Sequence, residues 1–347
     1  MTVHSSTLAE HGYHRLRIRR VVRETLDASS FVLEVPPALT ETFRYRPGQF
    51  CTFRVRIDGQ DAVRSYSMSS APDIDEDLAV TVKRVDGGLV SNWMLDHLKA
   101  GDVVELTKPA GVFCPQPRPG PALGFCGGSG ITPFMSIAKH LLASTDRSVR
   151  LLYANRDPAS VIFHETMVDL GTTHPEQLDV RYHFDAANGF LTTSDVAEFL
   201  GGHRDADCYV CGPGSFMDLV ESTLHELGVP SDRIFIERFL VEQQEHDAVT
   251  SGPPATAEVT VTLGGKTVMV AYQSGDTLLE TARRGGLRPP FSCTAGNCAT
   301  CMAFLREGTV TMRANTALTP EEVEEGWILT CQSLPTSGSI VVEYEDL

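Results

Sequence analysis

The sequence predicts three domains in a row: an antiparallel β-barrel, a doubly wound α/β domain, and a small C-terminal domain that starts on a hairpin and carries a cysteine cluster. Three observations predict this. Residues 15–115 hold six short β-branched runs divided by turn residues, as a small antiparallel barrel requires. From about residue 121, buried-strand and helix patterns alternate, which calls for crossover units on a parallel sheet. Residues 241–256, VEQQEHDAVTSGPPAT, have no periodic pattern and close with Gly-Pro-Pro and two small residues, a composition that reads as a linker. The expected boundaries are 12–116, 117–240 and 257–347, with the linker at 241–256.

The bulk numbers agree. A chain of 347 residues is too long for one comfortable core. Its hydrophobic fraction of 42% and charged fraction of 21% are those of an ordinary globular protein. The net charge of −16, from 29 basic and 45 acidic residues, argues against a nucleic-acid partner, whose phosphates need a basic face. A basic or neutral protein partner suits it better. The start, MTVHSSTLAEHGYHRLRIRR, has no secretory apolar core, and no apolar run reaches the roughly 20 residues of a membrane span. A cytoplasmic protein without membrane insertion is expected. Disulfides rarely persist there, so the nine cysteines read as ligands, buried hydrophobes or catalytic thiols.

Element by element, the barrel strands are RLRIRRVVRET, SSFVLEV, QFCTFRVRI, VRSYSMSS, LAVTVKRV and DVVELTKP, with GGLVSNWMLDHL as an intervening helix. In the second domain ALGFCGG, SVRLLYANR, LDVRYHF, ADCYVCGPG and RIFIERF read as strands. TPFMSIAKHLLAS, FHETMVDLG, TSDVAEFLG and SFMDLVESTLHELG read as helices. In the third, AEVTVTLGGKTVMVAYQ is a hairpin around Gly264-Gly265, and TLLETARRGG is a short helix stopped by glycines. LTPEEVEEG opens another helix, with Thr319 as N-cap, Pro320 in the first position and Glu322 completing a capping box.

The cysteines of the third domain fall as Cys293, Cys298, Cys301 and, after the capped helix, Cys331. The spacing C-x4-C-x2-C…C is that of plant-type [2Fe–2S] proteins. Between the ligands stand Thr294, Ala295, Gly296, Asn297, Ala299 and Thr300, small residues that let backbone N–H groups approach the sulfurs. Zinc usually pairs two C-x2-C knuckles, and here there is one.

Other motifs stand upstream. Arg64-Ser65-Tyr66-Ser67 closes a barrel strand. Gly87 and Gly88, with Val90 and Ser91, open a helix whose start is a ready anion site, with the serine read as its cap. Lys108–Phe113, KPAGVF, ends the barrel. Gly127-Gly128-Ser129-Gly130, then Thr132 and Pro133, make a tight strand-to-helix turn, with Ser129 and Thr132 set to bond a pyrophosphate. Cys211-Gly212-Pro213 ends a later strand, and Glu237 and Phe239 close the domain.

In this order the motifs resemble those of the ferredoxin–NADP reductase superfamily. The resemblance implies that Arg64 binds the FAD pyrophosphate, Tyr66 packs on the isoalloxazine and Ser67 bonds the flavin near its reactive nitrogen. It adds Ser65, Val82, Lys83, Gly88, Val90, Ser91 and Phe239 to the FAD residues, Phe239 covering the flavin face used by nicotinamide. Cys211 would lie beside the nicotinamide, and Glu237 would support hydride transfer, so Ser67, Cys211 and Glu237 are the catalytic candidates. Gly127, Gly128, Ser129, Gly130, Thr132, Pro133, Arg156, Asp185, Cys211, Gly212 and Pro213 are the NAD candidates. An acidic Asp185 would repel a 2′-phosphate, whereas Arg156 could bind one or stack on adenine. NADH is therefore expected, with NADPH as the alternative.

With a ferredoxin module last, the whole chain resembles the fused reductase components of multicomponent oxygenases, and the third domain is then a β-grasp ferredoxin fold. The implied activity is transfer of electrons from NADH, through FAD and a [2Fe–2S] cluster, to a partner oxygenase of the Rieske non-haem iron or di-iron type. A monomer is expected. The second reading is an NADPH-dependent reductase serving a haem-thiolate monooxygenase or a desaturase. An iron–sulfur redox sensor would need a regulatory or nucleic-acid-binding module, and none is visible in the sequence.

Overall fold

A computed structural model describes residues 13–72, 74–238, 258–291, 296, 299–315 and 317–344. Its contacts divide the chain into two compact units, Met1–Val55 with Tyr66–Phe239 and Arg56–Ser65 with Leu240–Leu347. The expected linker, 241–256, lies outside the described residues.

The barrel comprises β1 (Tyr13–Arg23), β2 (Ala28–Glu34), β3 (Phe50–Ile57), β4 (Gln60–Ser67), β5 (Leu78–Lys83), helix α1 (Leu89–His97) and β6 (Val103–Thr107). All six expected runs form strands, in the order β4-β3-β6-β1-β2-β5. A bridge between Met68 and Val80 joins the two ends of that order, so the sheet nearly closes. Closure lets Leu16, Ile18, Leu33, Phe53, Val80 and Leu106 be fully buried while alternate residues face out. The β3–β4 turn uses Asp58 and Gly59, both at positive φ (52° and 80°), as a two-residue hairpin with right-handed strand twist demands.

The α/β domain runs β7 (Ala122–Gly127), α2 (Ile131–Ser144), β8 (Val149–Asn155), α3 (His164–Thr173), β9 (Leu178–Phe184), α4 (Asp185–Asn188), α5 (Thr193–Leu200), β10 (Asp207–Cys211), α6 (Gly214–Glu226) and β11 (Ile234–Glu237). The sheet order is β11-β10-β7-β8-β9, and every adjacent pair is parallel. Helices cover both faces: Phe134, Ile137 and Met167 pack on one and Val196, Phe199, Val220 and Leu224 on the other. Ala28 and Phe113 of the barrel segment join the first of these cores. Two polar contacts reinforce that junction: the Ser136 hydroxyl donates to Ser70 O at 2.5 Å, and Lys139 pairs with Asp75 at 3.0 Å. At the N-terminal end of β10, Asp207 is 0% exposed and takes Arg118 and Arg147 at 2.8 Å and Arg233 at 3.3 Å. A carboxylate buried this deeply needs such partners.

The third domain runs β12 (Glu258–Leu263), β13 (Lys266–Ala271), α7 (Leu278–Arg284), β14 (Met302–Glu307), β15 (Val310–Met312), α8 (Pro320–Glu325), β16 (Trp327–Leu329), β17 (Ser333–Pro335) and β18 (Ser339–Glu343). Its main sheet has the order β13-β12-β18-β14-β16, with the first and last strands, β12 and β18, parallel at the centre. With α7 packing Leu278 and Ala282 onto it, this is the expected β-grasp fold. The capping boxes of α7 (Thr277 with Glu280) and α8 (Thr319 with Glu322) both form. No helix among the described residues is long and apolar enough to cross a membrane.

Candidate functional site

In an open parallel sheet a ligand crevice forms where chain order reverses, at the carboxyl ends of the strands. Here that point lies between β7 and β10. β7 runs into the glycine turn, and Gly128 takes φ +52°. A Cβ on Gly130 would stand 2.1 Å from Cys211 O, one on Gly127 2.8 Å from Pro213 Cδ, and one on Gly212 3.0 Å from Gly127 N. The turns after β7 and β10 therefore touch backbone to backbone, and only glycine permits it. Their approach frames the N-terminus of the 14-residue α2, where unpaired N–H groups and the helix dipole suit a diphosphate. Thr132 is buried, and its hydroxyl donates to Ser129 O at 2.9 Å, so it braces the turn with the proton it was expected to offer a ligand. Pro133 is buried in the first helical turn, where a missing N–H does no harm.

The three catalytic candidates converge beside this turn. Cys211 is the register partner of Cys126 on β7 and of Glu237 on β11. The Ser67 hydroxyl, at the end of β4, donates to Glu237 Oε2 at 2.9 Å. Burial holds the Cys211 thiol well above its usual range, and the nearby Glu237 and Cys126 push the same way. Cys211 is therefore a neutral, compact wall of the site. Tyr66 lies edge-on to Phe53, with ring centroids 5.7 Å apart. Arg64 donates to Val63 O at 2.7 Å, Ser65 is half-buried, and Val82 is fully buried. Lys83 Nζ stands 3.9 Å from Asp27.

The start of α1 differs from expectation. Its N-cap is Gly88, with no side-chain cap, and Ser91 stands three residues inside the helix. The Ser91 hydroxyl accepts from Val85 N at 3.4 Å, so it secures the preceding turn; Val90, beside it, is buried. A Cβ on Gly88 would lie 2.6 Å from Ser91 Oγ, which keeps that turn bare of side chains.

At the outer end of the crevice Arg156 and Asp185 come together, because Ala186 N donates to Arg156 O at 3.0 Å. Asp185 opens the one-turn helix α4, which the sequence pattern does not show. The Arg156 guanidinium is engaged by Asp157 at 3.1 Å, and this contact is the main reason the Asp157 carboxyl sits below its usual range. Asp157 also forms a capping box with Ser160, a pairing that the D-P-A-S run could have announced.

In the third domain, Cys301 and Cys331 are buried in one apolar cluster with Leu279, Leu318, Trp327 and Leu329. Thr330 Oγ1 donates to Cys301 O at 2.8 Å and accepts from the Tyr344 hydroxyl at 2.9 Å. Gly296 has φ +77°, and a Cβ there would lie 2.6 Å from Ala314 O; Ala299 is also left-handed, at φ +55°. Two thiols buried together, with left-handed Gly296 and Ala299 in the sequence around them, suit a thiolate-held cluster. Cys293, Cys298 and Phe239 lie outside the described residues.

Comparison with known proteins agrees domain by domain. Residues 15–114 match the family model for an oxidoreductase FAD-binding domain, 125–222 that for an oxidoreductase NAD-binding domain, and 261–336 that for a 2Fe-2S iron-sulfur cluster binding domain. The chain is 39% identical to the ferredoxin reductase component of 3-ketosteroid-9-alpha-monooxygenase from Mycobacterium tuberculosis, over 95% of this chain and 96% of the relative. It is 31% identical to a component of 1,2-phenylacetyl-CoA epoxidase from Escherichia coli, over 96% and 98%. Among solved structures, phthalate dioxygenase reductase aligns with a TM-score of 0.61 at 26% identity, over 96% of this chain and 98% of that one. A three-module order, a converged nucleotide crevice and relatives matched nearly end to end lead to one conclusion: the chain belongs to the family of fused ferredoxin reductases, oxidoreductases that join FAD-, NAD- and [2Fe–2S]-binding domains and serve as reductase components of oxygenases.

Proposed function

We propose that the chain takes electrons from NADH and delivers them singly, through its ferredoxin domain, to an oxygenase. The observation that carries this is the Ser67–Glu237 hydrogen bond beside Cys211, which unites the end of a barrel strand with the nucleotide crevice. When bound, FAD supplies a two-electron acceptor for hydride and a one-electron donor, and the [2Fe–2S] cluster supplies a one-electron carrier. The protein's own part is positioning. The guanidinium of Arg64 pairs with the flavin diphosphate, Tyr66 shields a ring face, and the Gly127–Gly130 turn and Gly212-Pro213 seat the nicotinamide dinucleotide. Ser67 and Glu237 keep a hydrogen-bonded proton path at the reacting edge. Cys301 and Cys331, with Cys293 and Cys298, hold the cluster. Domain limits of 12–116, 117–240 and 257–347 suit this division of labour.

NADH is favoured over NADPH because Asp185 stands beside Arg156 and Asp157 already pairs with that arginine, leaving a 2′-phosphate facing two carboxylates. The third domain carries 6 Lys and Arg against 11 Asp and Glu from residue 257 on. It would dock a basic patch on its partner through a small, weak interface of the electron-transfer kind. The 39% identity with a 3-ketosteroid-9-alpha-monooxygenase component makes a steroid oxygenase the first partner to try. The chain itself acts as a cytoplasmic monomer.

The test is anaerobic flavin reduction of the purified protein by NADH and NADPH in parallel, with steady-state acceptor assays that give the KM of each. NADH should bleach the flavin absorbance and show a KM at least about tenfold below that of NADPH. Equal KM values would remove the nucleotide assignment, and no bleaching with either would remove the function.

A further inference from the structure

We propose that Tyr153 is a positioning residue for the dinucleotide's diphosphate, acting through the carbonyl of Gly128; this rests on the nucleotide crevice assigned above. Tyr153 stands on β8 and is 0% exposed. Its hydroxyl reaches across to donate to Gly128 O at 3.1 Å. That carbonyl also accepts Ile131 N–H in the tight turn leading into α2, so it is held from both sides.

Gly128 is the residue of this turn with positive φ, +52°. A left-handed residue followed by right-handed ones presents successive N–H groups to one side, the concavity that binds phosphate. The orientation of the Gly128–Ser129 peptide therefore sets where the next N–H groups point, and Tyr153 fixes its oxygen end. Beyond the turn, the Cβ direction of Gly128 meets only Lys83 Nζ, at 3.4 Å, so that side of the residue is left open toward the crevice.

The environment makes the bond more than an accident of packing. A hydroxyl with no solvent access is costly if left unpaired, and Gly128 O accepts its proton. Two residues further along the same face of β8, Asn155 is 3% exposed. Its carboxamide comes up against the Tyr153 hydroxyl, yet neither Nδ2 nor Oδ1 makes a hydrogen bond of good geometry. The buried end of β8 is thus polar, and the Tyr153 hydroxyl there meets the Ile162 backbone and Asn155 as well as the glycine turn. The Tyr153 ring, by contrast, has ordinary packing: it lies tilted against Tyr182 at 6.2 Å within the domain core. Tyr153→Phe keeps that packing and removes the hydroxyl, losing the bond to Gly128 O together with its contacts to the Ile162 backbone and the Asn155 carboxamide.

The experiment measures ADP-ribose and adenosine binding by calorimetry on FAD- and cluster-loaded protein, together with steady-state NADH kinetics. ADP-ribose carries the diphosphate and adenosine does not. In Tyr153→Phe the ADP-ribose Kd and the NADH KM should rise together, about five- to tenfold, with adenosine binding and kcat changed less than about twofold. Gly128→Ala, which strains the same carbonyl, should reproduce the loss for ADP-ribose. Leu151→Val, a core change on the same strand, should lower Tm and leave both ligands bound as before. Unchanged ADP-ribose binding in Tyr153→Phe, or an equal loss for adenosine, overturns the proposal. Should Tyr153→Phe not fold, unchanged ADP-ribose binding in Gly128→Ala overturns it instead. A wild-type protein that binds neither ADP-ribose nor NADH removes the crevice assignment itself, and this inference with it.

Discussion

At the scale of single residues, the proposed chemistry turns on a bond that spans most of the reductase. Ser67 and Glu237 are 170 positions apart and 2.9 Å apart in space. Ser67→Ala removes the donor of this bond, whereas Glu237→Gln keeps an acceptor oxygen but removes the carboxylate's charge and its capacity to take a proton. Ser67→Ala and Glu237→Gln should each slow flavin reduction by NADH about a hundredfold in stopped flow. The double variant should be little worse than the single ones, because the two act as a unit; additive losses would show independent roles. Cys211 gives the opposite expectation. Its thiol pKa is raised, chiefly by burial, and a raised thiol pKa favours the neutral form. Cys211 therefore stays protonated from about pH 6 to pH 9, where an unperturbed thiol would begin to ionise. Flavin reduction should show no inflection in that window in wild type that Cys211→Ala removes. An inflection that disappears on substitution would mean the thiolate takes part.

Elements whose signals are local can be read from the sequence; those built by distant contacts cannot. The α8 capping box is legible because Thr319, Pro320 and Glu322 declare it within four residues, and it forms as read. The six barrel strands are legible from their alternation. By contrast α4 is a single turn, held by Ala186 N on Arg156 O from another strand end, and no periodicity of four residues could announce it. Ser91 departs from expectation because a serine near a helix start usually caps it; here two glycines precede the helix and Gly88 takes the N-cap. The glycine turn is legible as a turn, but the reason for each glycine lies across the sheet. Gly130 is the sharpest case: its Cβ would collide with Cys211 O at 2.1 Å, and neither backbone can retreat without breaking the β7–β10 ladder. Gly130→Ala should lower stability by about 2–4 kcal/mol and abolish NADH binding. Gly214→Ala, with nothing within 4 Å of the added methyl, should leave Tm within about 2 °C. Similar Tm values for the two variants would show that the turns can separate.

For the whole molecule, the order of domains gives the electron path a direction. NADH enters at the α/β crevice, the barrel supplies the flavin site beside it, and the third domain offers the exit. Two of that domain's four cysteines, Cys301 and Cys331, lie together in one buried apolar cluster. Acceptors can separate entry from exit. Ferricyanide is small and can take electrons at a flavin site, whereas a protein acceptor such as cytochrome c needs the cluster and a docking face. Cys301→Ser should therefore cut NADH-dependent cytochrome c reduction by tenfold or more while changing ferricyanide reduction less than about twofold. Because the exit domain is acidic, the cytochrome c rate of the intact protein should also fall as salt rises through the range where the Debye length shrinks from about 10 Å to a few ångströms; the ferricyanide rate should not fall with it. Equal losses with both acceptors in Cys301→Ser would place the cluster off the path. A salt-independent cytochrome c rate would show that the acidic face does not guide docking, and the two outcomes can be told apart in one set of assays.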